Sequence, residues 1–172
     1  MFPSGRPLPS PTSAPEFGRF AAERREARGL RKPETFEFLG LTHICAKDRH
    51  GRFKLKRVTS KKKMRAKLKS VKAEMRKRMH LPIPEQGRWL ANVLQGHYNY
   101  YAVPDNSEAM RGFRARVLQH WRKSLARRSQ KGRITWDRTN RIAARWLPQP
   151  RILHPWPDAR FDAKTRGRSP VR

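Results

Sequence analysis

A wide apolar stripe in residues 85–106 constrains the fold of this chain more than any other feature. Pro84 suits the first turn of a helix there, while Pro104 and Asn106 end it and place Asn106 to cap the next helix. So broad a stripe must be buried, and we expect this helix at the centre of a small helical domain. Its large side chains recur at helical steps of three and four residues: Trp89, Leu90, Val93, Leu94, His97, Tyr98 and Tyr101.

The net charge of the chain limits its partners. There are 42 lysines and arginines against 13 acidic residues, a formal net charge of +29. A compact fold with this charge repels itself unless a polyanion is present, so nucleic acid is the leading class of partner. Basic amphipathic helices also bind anionic membrane surfaces. We favour nucleic acid and expect no membrane partner, because the apolar stripes suit ordinary core packing.

The sequence also indicates a compartment. Cys45 is the only cysteine, which excludes an intramolecular disulfide and favours a reducing compartment. No apolar run approaches the length of a transmembrane helix, and residues 1–15 lack the apolar segment of a signal peptide. We therefore expect a cytoplasmic protein.

Residues typical of catalytic or metal centres are not clustered. His43 and Cys45 share one face of a predicted strand, but two ligands are too few for a zinc site. Phosphoryl or nucleotidyl transfer needs clustered carboxylates that hold magnesium, and there is no glycine-rich phosphate loop. We expect no metal, no cofactor and no active site. The aspartates are isolated from one another along the chain: Asp48, Asp105, Asp137, Asp158 and Asp162.

The patterns predict a mainly α fold in which a short β-hairpin precedes a bundle of three to four helices. One strand is expected over residues 35–45 and another over 52–58, with Phe53 and Leu55 pointing inward. Before the hairpin, residues 16–20 could end or form a short strand, and residues 21–32 are expected to be a charged connection.

The helices and the tail complete this prediction. Thr59 or Ser60 caps a helix that runs to about residue 80, and Thr135 caps a short last helix. That last helix is expected to bury Trp136, Ile142 and Trp146. The proline-rich tail is expected to pack back across the bundle through Ile152, Leu153 and Trp156. Four segments result: a disordered leader (1–15), the hairpin region (16–58), the helical domain (59–147) and the tail (148–172).

A basic stripe accompanies the apolar stripe of the first long helix. The simplest interpretation is a solvated face, but Glu74 is the only acid between Asp48 and Glu85, so the stripe is not neutralised by pairs along the helix. We therefore predict nucleic-acid contact by this stripe: Lys62, Arg65, Lys69, Lys72 and Arg76.

Further candidates lie after the stripe. Four lie around the end of the third helix, the one that Asn106 caps: Arg127, Arg128, Lys131 and Arg133. Two lie in the tail: Arg151 and His154. His97 and Tyr100 fall nearer the margin of the aromatic stripe, from which they could stack on a base or bond a phosphate.

Several stretches in this order resemble the C-terminal part of bacterial group II intron-encoded reverse transcriptase/maturases. The resemblance covers residues 16–166. Besides the basic helix, it rests on EFGRF (16–20), PETFEFLGLTHIC (33–45), EQGRWLANVLQGHYNYYAVPDN (85–106), FRARVLQHWRKSLARRSQKG (113–132) and RWLPQPRILHPWPDARF (145–161).

The resemblance implies a remnant of the polymerase palm at the hairpin, followed by the thumb or maturase domain. In that family this region grips group II intron RNA to assist splicing and cradles the RNA–DNA template–primer duplex. The family's magnesium-binding Tyr-x-Asp-Asp block would precede residue 16, where this chain has only its Pro/Ser leader. We therefore expect no polymerase activity from the chain alone.

Three alternatives stay open beside this hypothesis. The chain could complement a separately encoded polymerase core in trans. It could be a generic basic nucleic-acid binder without preference for intron RNA. It could also be a degenerate fragment, whose exposed hairpin edge would favour aggregation.

Overall fold

The computed structural model describes residues 16–128 and 134–156. Five helices and one three-stranded antiparallel sheet form these ranges, which confirms a mainly α fold with strands before a helical bundle. The elements are α1 (Ala21–Ala27), β1 (Phe36–Phe38), β2 (Leu41–Lys47), β3 (Phe53–Thr59), α2 (Lys61–Lys77), α3 (Ile83–Tyr101), α4 (Ser107–Ala126) and α5 (Trp136–Trp146).

The sheet has one strand more than the predicted hairpin. The strand expected over residues 35–45 is folded on itself, so that Phe36 lies opposite His43 and Phe38 opposite Leu41. Leu39 and Gly40 both have positive φ, at 48° and 77°, and form the two-residue turn between β1 and β2. Turns of this kind match the twist of paired strands. The single-strand prediction was wrong because leucine is an uncommon residue at such a φ.

Three other expectations for this region were wrong. Residues 16–20 form a turn rather than a strand, and α1 stands where a charged connection was expected. Phe53 and Leu55 are exposed, whereas Lys54 faces the helices. The Lys54 ammonium lies 2.6 Å from a carboxylate oxygen of Asp105, which precedes α4. A β-strand has two faces, and this ion pair selects the one that meets the bundle.

The centre of the bundle is formed as predicted by α3, whose Leu90, Leu94 and Tyr98 are fully buried. They pack against the buried faces of α2 and α4. Trp121 of α4 donates its indole N–H to Gln86 Oε1 at 2.9 Å. Gln86 in turn donates to the carbonyls of Met79 and Leu81. The buried Gln86 amide therefore has hydrogen-bond partners for both its oxygen and its nitrogen.

Helix α5 begins where the sequence predicts, but one of its three predicted core residues is exposed. Thr135 Oγ1 accepts a hydrogen bond from the backbone N–H of Arg138, which confirms the predicted cap. Trp136 was expected in the core but is 46% exposed. Its ring lies 4.5 Å from the Arg122 guanidinium of α4, a cation–π contact at the surface. Ile142 and Trp146 are partly buried and pack against the core as predicted. The fully buried residues of α5 are small, Thr139 and Ala143.

The tail crosses the bundle through backbone hydrogen bonds. Tyr98 donates its hydroxyl, at 3.4 Å, to the carbonyl of Pro148. The Ala102 carbonyl accepts from the backbone N–H groups of Leu153 and His154. The tail therefore does pack back, but Ile152, Leu153 and Trp156 remain exposed. Backbone anchoring, not apolar burial, holds this segment.

We predict that two helical glycines of α3 respond to alanine with opposite signs. A Cβ at Gly87 would lie 2.5 Å from Trp146 Cγ, so Gly87→Ala must displace the indole and should lower the free energy of unfolding by about 1–3 kcal/mol. A Cβ at Gly96 meets no atom within 4 Å, so Gly96→Ala should raise it by about 1 kcal/mol. Urea denaturation measures both, and equal stabilisation would contradict the packing of Trp146 on Gly87.

Candidate nucleic-acid interface

The basic stripe predicted on α2 is exposed along its whole length. Its residues recur at three- and four-residue steps on one flank of the buried positions Leu68, Val71 and Met75. The interactions that hold the apolar side of α2 in the core therefore also fix the direction in which the stripe faces. The stripe consists of Lys62, Arg65, Lys69, Lys72 and Arg76.

A second row of basic residues on α4 lies beside the α2 stripe. It consists of Arg116, His120, Lys123 and Arg127, spaced at helical intervals. Helices α2 and α4 pack against each other, and a groove of about 130 Å³ runs between them. We call it the α2–α4 groove; it is lined by Lys72, Met75, Arg76, Met79, His120, Lys123, Ser124 and Arg127.

The sequence prediction missed this α4 row. Of its four members, only Arg127 was among the predicted contacts. The signal that could have found the row is the spacing of Arg116, His120, Lys123 and Arg127 by four, three and four residues. The sequence could not show that this row lies beside the α2 stripe, because only the packing of α2 on α4 brings the two rows together.

The interface is strongly electropositive. Within the two described ranges, no carboxylate oxygen lies within 4 Å of the charged nitrogens of either row. Glu74, the one acid of α2, forms ion pairs with Lys77 and Arg78 instead. Burial lowers the pKa of His120, and the nearby charges of Lys72, Lys123 and Arg116 lower it further. The groove thus resists additional positive charge and attracts anions.

The remaining basic candidates are distributed unevenly around this groove. Arg127 lines it, and Arg128 is exposed immediately after it at the end of α4. Lys131 and Arg133 lie outside the described residues. Arg151 and His154 do not line the groove. His154 Nε2 is 2.9 Å from the Asn99 carbonyl, so this side chain helps to anchor the tail to α3.

The predicted base or phosphate contact by His97 was wrong. The side chain is 6% exposed and stacks on Phe113 of α4, with ring centroids 3.9 Å apart. Burial, followed by the charge of Lys67, lowers the pKa of His97 to about 4, so the ring is neutral at neutral pH. A base cannot reach this buried ring to stack on it, and the neutral ring offers no positive charge to a phosphate. Helical spacing alone did not show whether His97 lies at the edge of the aromatic stripe or at its buried centre.

Tyr100 lies at the surface, where the sequence placed it. It is 50% exposed, and its hydroxyl donates to the Leu39 carbonyl at 2.7 Å. That hydrogen bond joins α3 to the turn between β1 and β2. Contact between Tyr100 and a base stays a prediction.

Searches for other kinds of site and for relatives gave no candidates. In residues 16–128 and 134–156, no three His, Cys, Asp or Glu side chains are grouped as metal ligands would be. Across the same ranges, no helix combines the length and apolar character needed to cross a membrane. Comparisons of the chain with protein-family models, curated proteins and solved structures found no match.

We predict that His97 makes the stability of the protein depend on pH. The unfolded chain protonates this histidine near its ordinary pKa of 6.5, whereas the folded protein resists protonation down to about pH 4. The unfolded state therefore binds more protons between these values, and stability falls as the pH falls. Lowering the pH from about 7 to about 5 should reduce the contribution of His97 to the free energy of unfolding by about 2 kcal/mol.

His97→Phe tests this prediction, because it keeps a ring against Phe113 and removes the titrating group. Urea denaturation at the two pH values should show a smaller pH dependence in this variant than in the wild type. His80→Gln, which changes an exposed histidine outside the core, serves as the control. An unchanged pH dependence in His97→Phe would contradict the burial of a neutral His97.

Proposed function

We propose that this chain binds structured RNA, and group II intron RNA in particular, through the two basic rows that border the α2–α4 groove. One observation carries the proposal: Lys72 and Arg76 of one row and Lys123 and Arg127 of the other line one groove, and no carboxylate of the described residues neutralises either row. Phosphates of a nucleic-acid backbone are regularly spaced anions, which such rows match. The proposed role is non-catalytic.

The geometry favours recognition of the backbone over recognition of bases. Apart from His120, the rows consist of lysine and arginine. Among the described residues, no Phe, Tyr or Trp on which a base would stack lines the α2–α4 groove. Contacts to phosphates fix the orientation of a nucleic acid but carry no sequence information directly. Selectivity for a folded RNA would then arise from the spacing of its phosphates, that is, from its shape.

The choice of group II intron RNA rests on the resemblance of the quoted motifs to the maturase region. In this proposal the chain assists splicing by holding the folded intron. Within a longer polymerase, the same basic rows would contact the RNA–DNA template–primer duplex. A generic nucleic-acid binder would share the geometry, so only competition between RNAs separates the two hypotheses.

One observation favours a second candidate function, the complementation of a polymerase core in trans. The sheet presents exposed apolar side chains, Phe38, Leu39, Phe53 and Leu55, which is unusual for a surface without a partner. A separately encoded palm would cover them. Inspection of the flanking DNA for an aspartate block of the Tyr-Ala-Asp-Asp type tests this candidate.

We predict that replacing four cations of the α2 stripe weakens binding and lowers its salt dependence. The variant carries alanine at Lys62, Arg65, Lys69 and Arg76. Each lost phosphate contact removes about one released counterion, so the slope of log affinity against log salt should fall by about three to four units. Gel-shift titrations with intron RNA at several salt concentrations measure the slope, with unrelated structured RNA and duplex DNA as competitors.

A matched variant separates local contacts from net charge. Alanine at Arg88, Arg111, Arg138 and Arg141 removes the same charge from exposed positions of α3, α4 and α5 outside the groove. This control should change the slope by much less than the stripe variant. Equal losses in both variants, or equal competition by every polyanion, would show general charge attraction and contradict the proposed function.

A further inference from the structure

The α2–α4 groove contains a buried hydroxyl without a partner. Ser124 of α4 lines the groove and is 9% exposed. Its Oγ makes no hydrogen bond to any residue of the described ranges. Burying a hydroxyl without a hydrogen bond costs folding free energy, so native proteins seldom leave one unpaired. An unpaired hydroxyl in a cationic groove therefore requires an explanation.

Cations of two helices line the same groove as this hydroxyl. Lys72 and Arg76 reach the groove from α2, while Lys123 and Arg127 reach it from α4. The volume of about 130 Å³ is many times what one water needs and is enough for a phosphate group. No Asp or Glu of the described residues lines the groove, so a metal ion finds no charged oxygen ligand among them. The ligand that suits these donors is a compact oxyanion.

We propose that the α2–α4 groove is a phosphate-binding site, in which one backbone phosphate of a bound RNA accepts hydrogen bonds from Ser124 and from cations of both helices. This inference rests on the proposed function. It adds one phosphate bound inside the groove to the phosphates that the exposed residues of the basic rows contact. The seated phosphate would bridge α2 and α4. Binding of RNA would then stabilise the packing of these two helices.

Met75 and Met79 give the groove the adaptability that this proposal requires. They form the apolar part of its lining, and methionine side chains are unbranched and readily change shape. Lys72 and Arg76 are exposed and form no ion pair within the described residues, so they are free to close over an anion. The buried Ser124 hydroxyl would supply the directional contact to the anion, and the cations would supply the charge.

His120 reports on the occupancy of the groove. Burial lowers its pKa, and so do Lys72 of α2 and Lys123 and Arg116 of its own helix. Arg76 and Arg127 line the same groove. A phosphate among these groups adds negative charge and should raise the pKa of His120. Nuclear magnetic resonance of the histidine rings follows that change directly, without relying on affinity.

Ser124→Ala is the decisive substitution, with Ser70→Ala on the exposed surface of α2 as its control. Loss of one hydrogen bond to a charged group should weaken RNA binding about tenfold. The salt slope should stay unchanged, because no positive charge is removed. The free energy of unfolding should stay equal or rise, since the variant removes an unpaired buried hydroxyl and gains a better helix former. Ser70→Ala should leave RNA affinity unchanged.

The outcomes distinguish this inference from the function on which it rests. If Ser124→Ala binds RNA as tightly as the wild type and the His120 pKa does not respond to RNA, the phosphate site is overturned, although the α2 stripe can still bind RNA. If the stripe variant and the competition experiments contradict the proposed function, titration of the wild-type protein with inorganic phosphate tests whether the groove binds phosphate on its own. A rise in the His120 pKa would then support the groove as a phosphate site on its own, and no change would overturn both proposals.

Discussion

The side-chain amide of Asn106 joins the sheet to the helices that carry the basic rows. The side chain is fully buried between the end of β3 and the start of α4. Its Oδ1 accepts from the Thr59 backbone N–H at 2.9 Å. Its Nδ2 donates to Thr59 Oγ1 and to the Tyr101 carbonyl, both at 2.7 Å. One amide thus fixes three chain ends: the exit of the sheet into α2, the end of α3 and the entry into α4.

This junction has a consequence for the basic rows. Helix α2 starts two residues after Thr59 and α4 starts directly after Asn106, so the two helices diverge from one buried hydrogen-bonded point. Apolar contacts of Leu68, Val71 and Met75 then hold α2 in the core beside α4. Like charges in adjacent rows repel each other. The free energy gained by burying these apolar side chains must therefore exceed the free energy of that repulsion. The electropositive groove thus lowers the stability of the fold, and the apolar core offsets that loss.

Most of the long elements could be predicted from the sequence, because each carries its own apolar period. The stripe of α3 and the flank occupied by Lys62 to Arg76 follow from helical spacing alone. The errors arose where tertiary contacts choose between local alternatives. Asn106 was expected to cap α4 through its side chain, but it bonds Thr59 and Tyr101 instead. His97 and Trp136 exchanged their expected environments because the packing of α4, not helical spacing, decides which aromatic side chain is covered.

The same distinction applies to the candidate interface. A stripe on one helix is visible in a sequence, but a site made by two helices is not, since it depends on how they pack. Ser124 illustrates the point: in the sequence it is one small residue between Lys123 and Leu125, and only the groove gives its hydroxyl chemical meaning. Long cationic side chains adapt to many polyanions, whereas a fixed hydroxyl at the base of a groove defines a position. In the proposed complex, charge would attract RNA to this surface, and the buried donor would set where a phosphate rests.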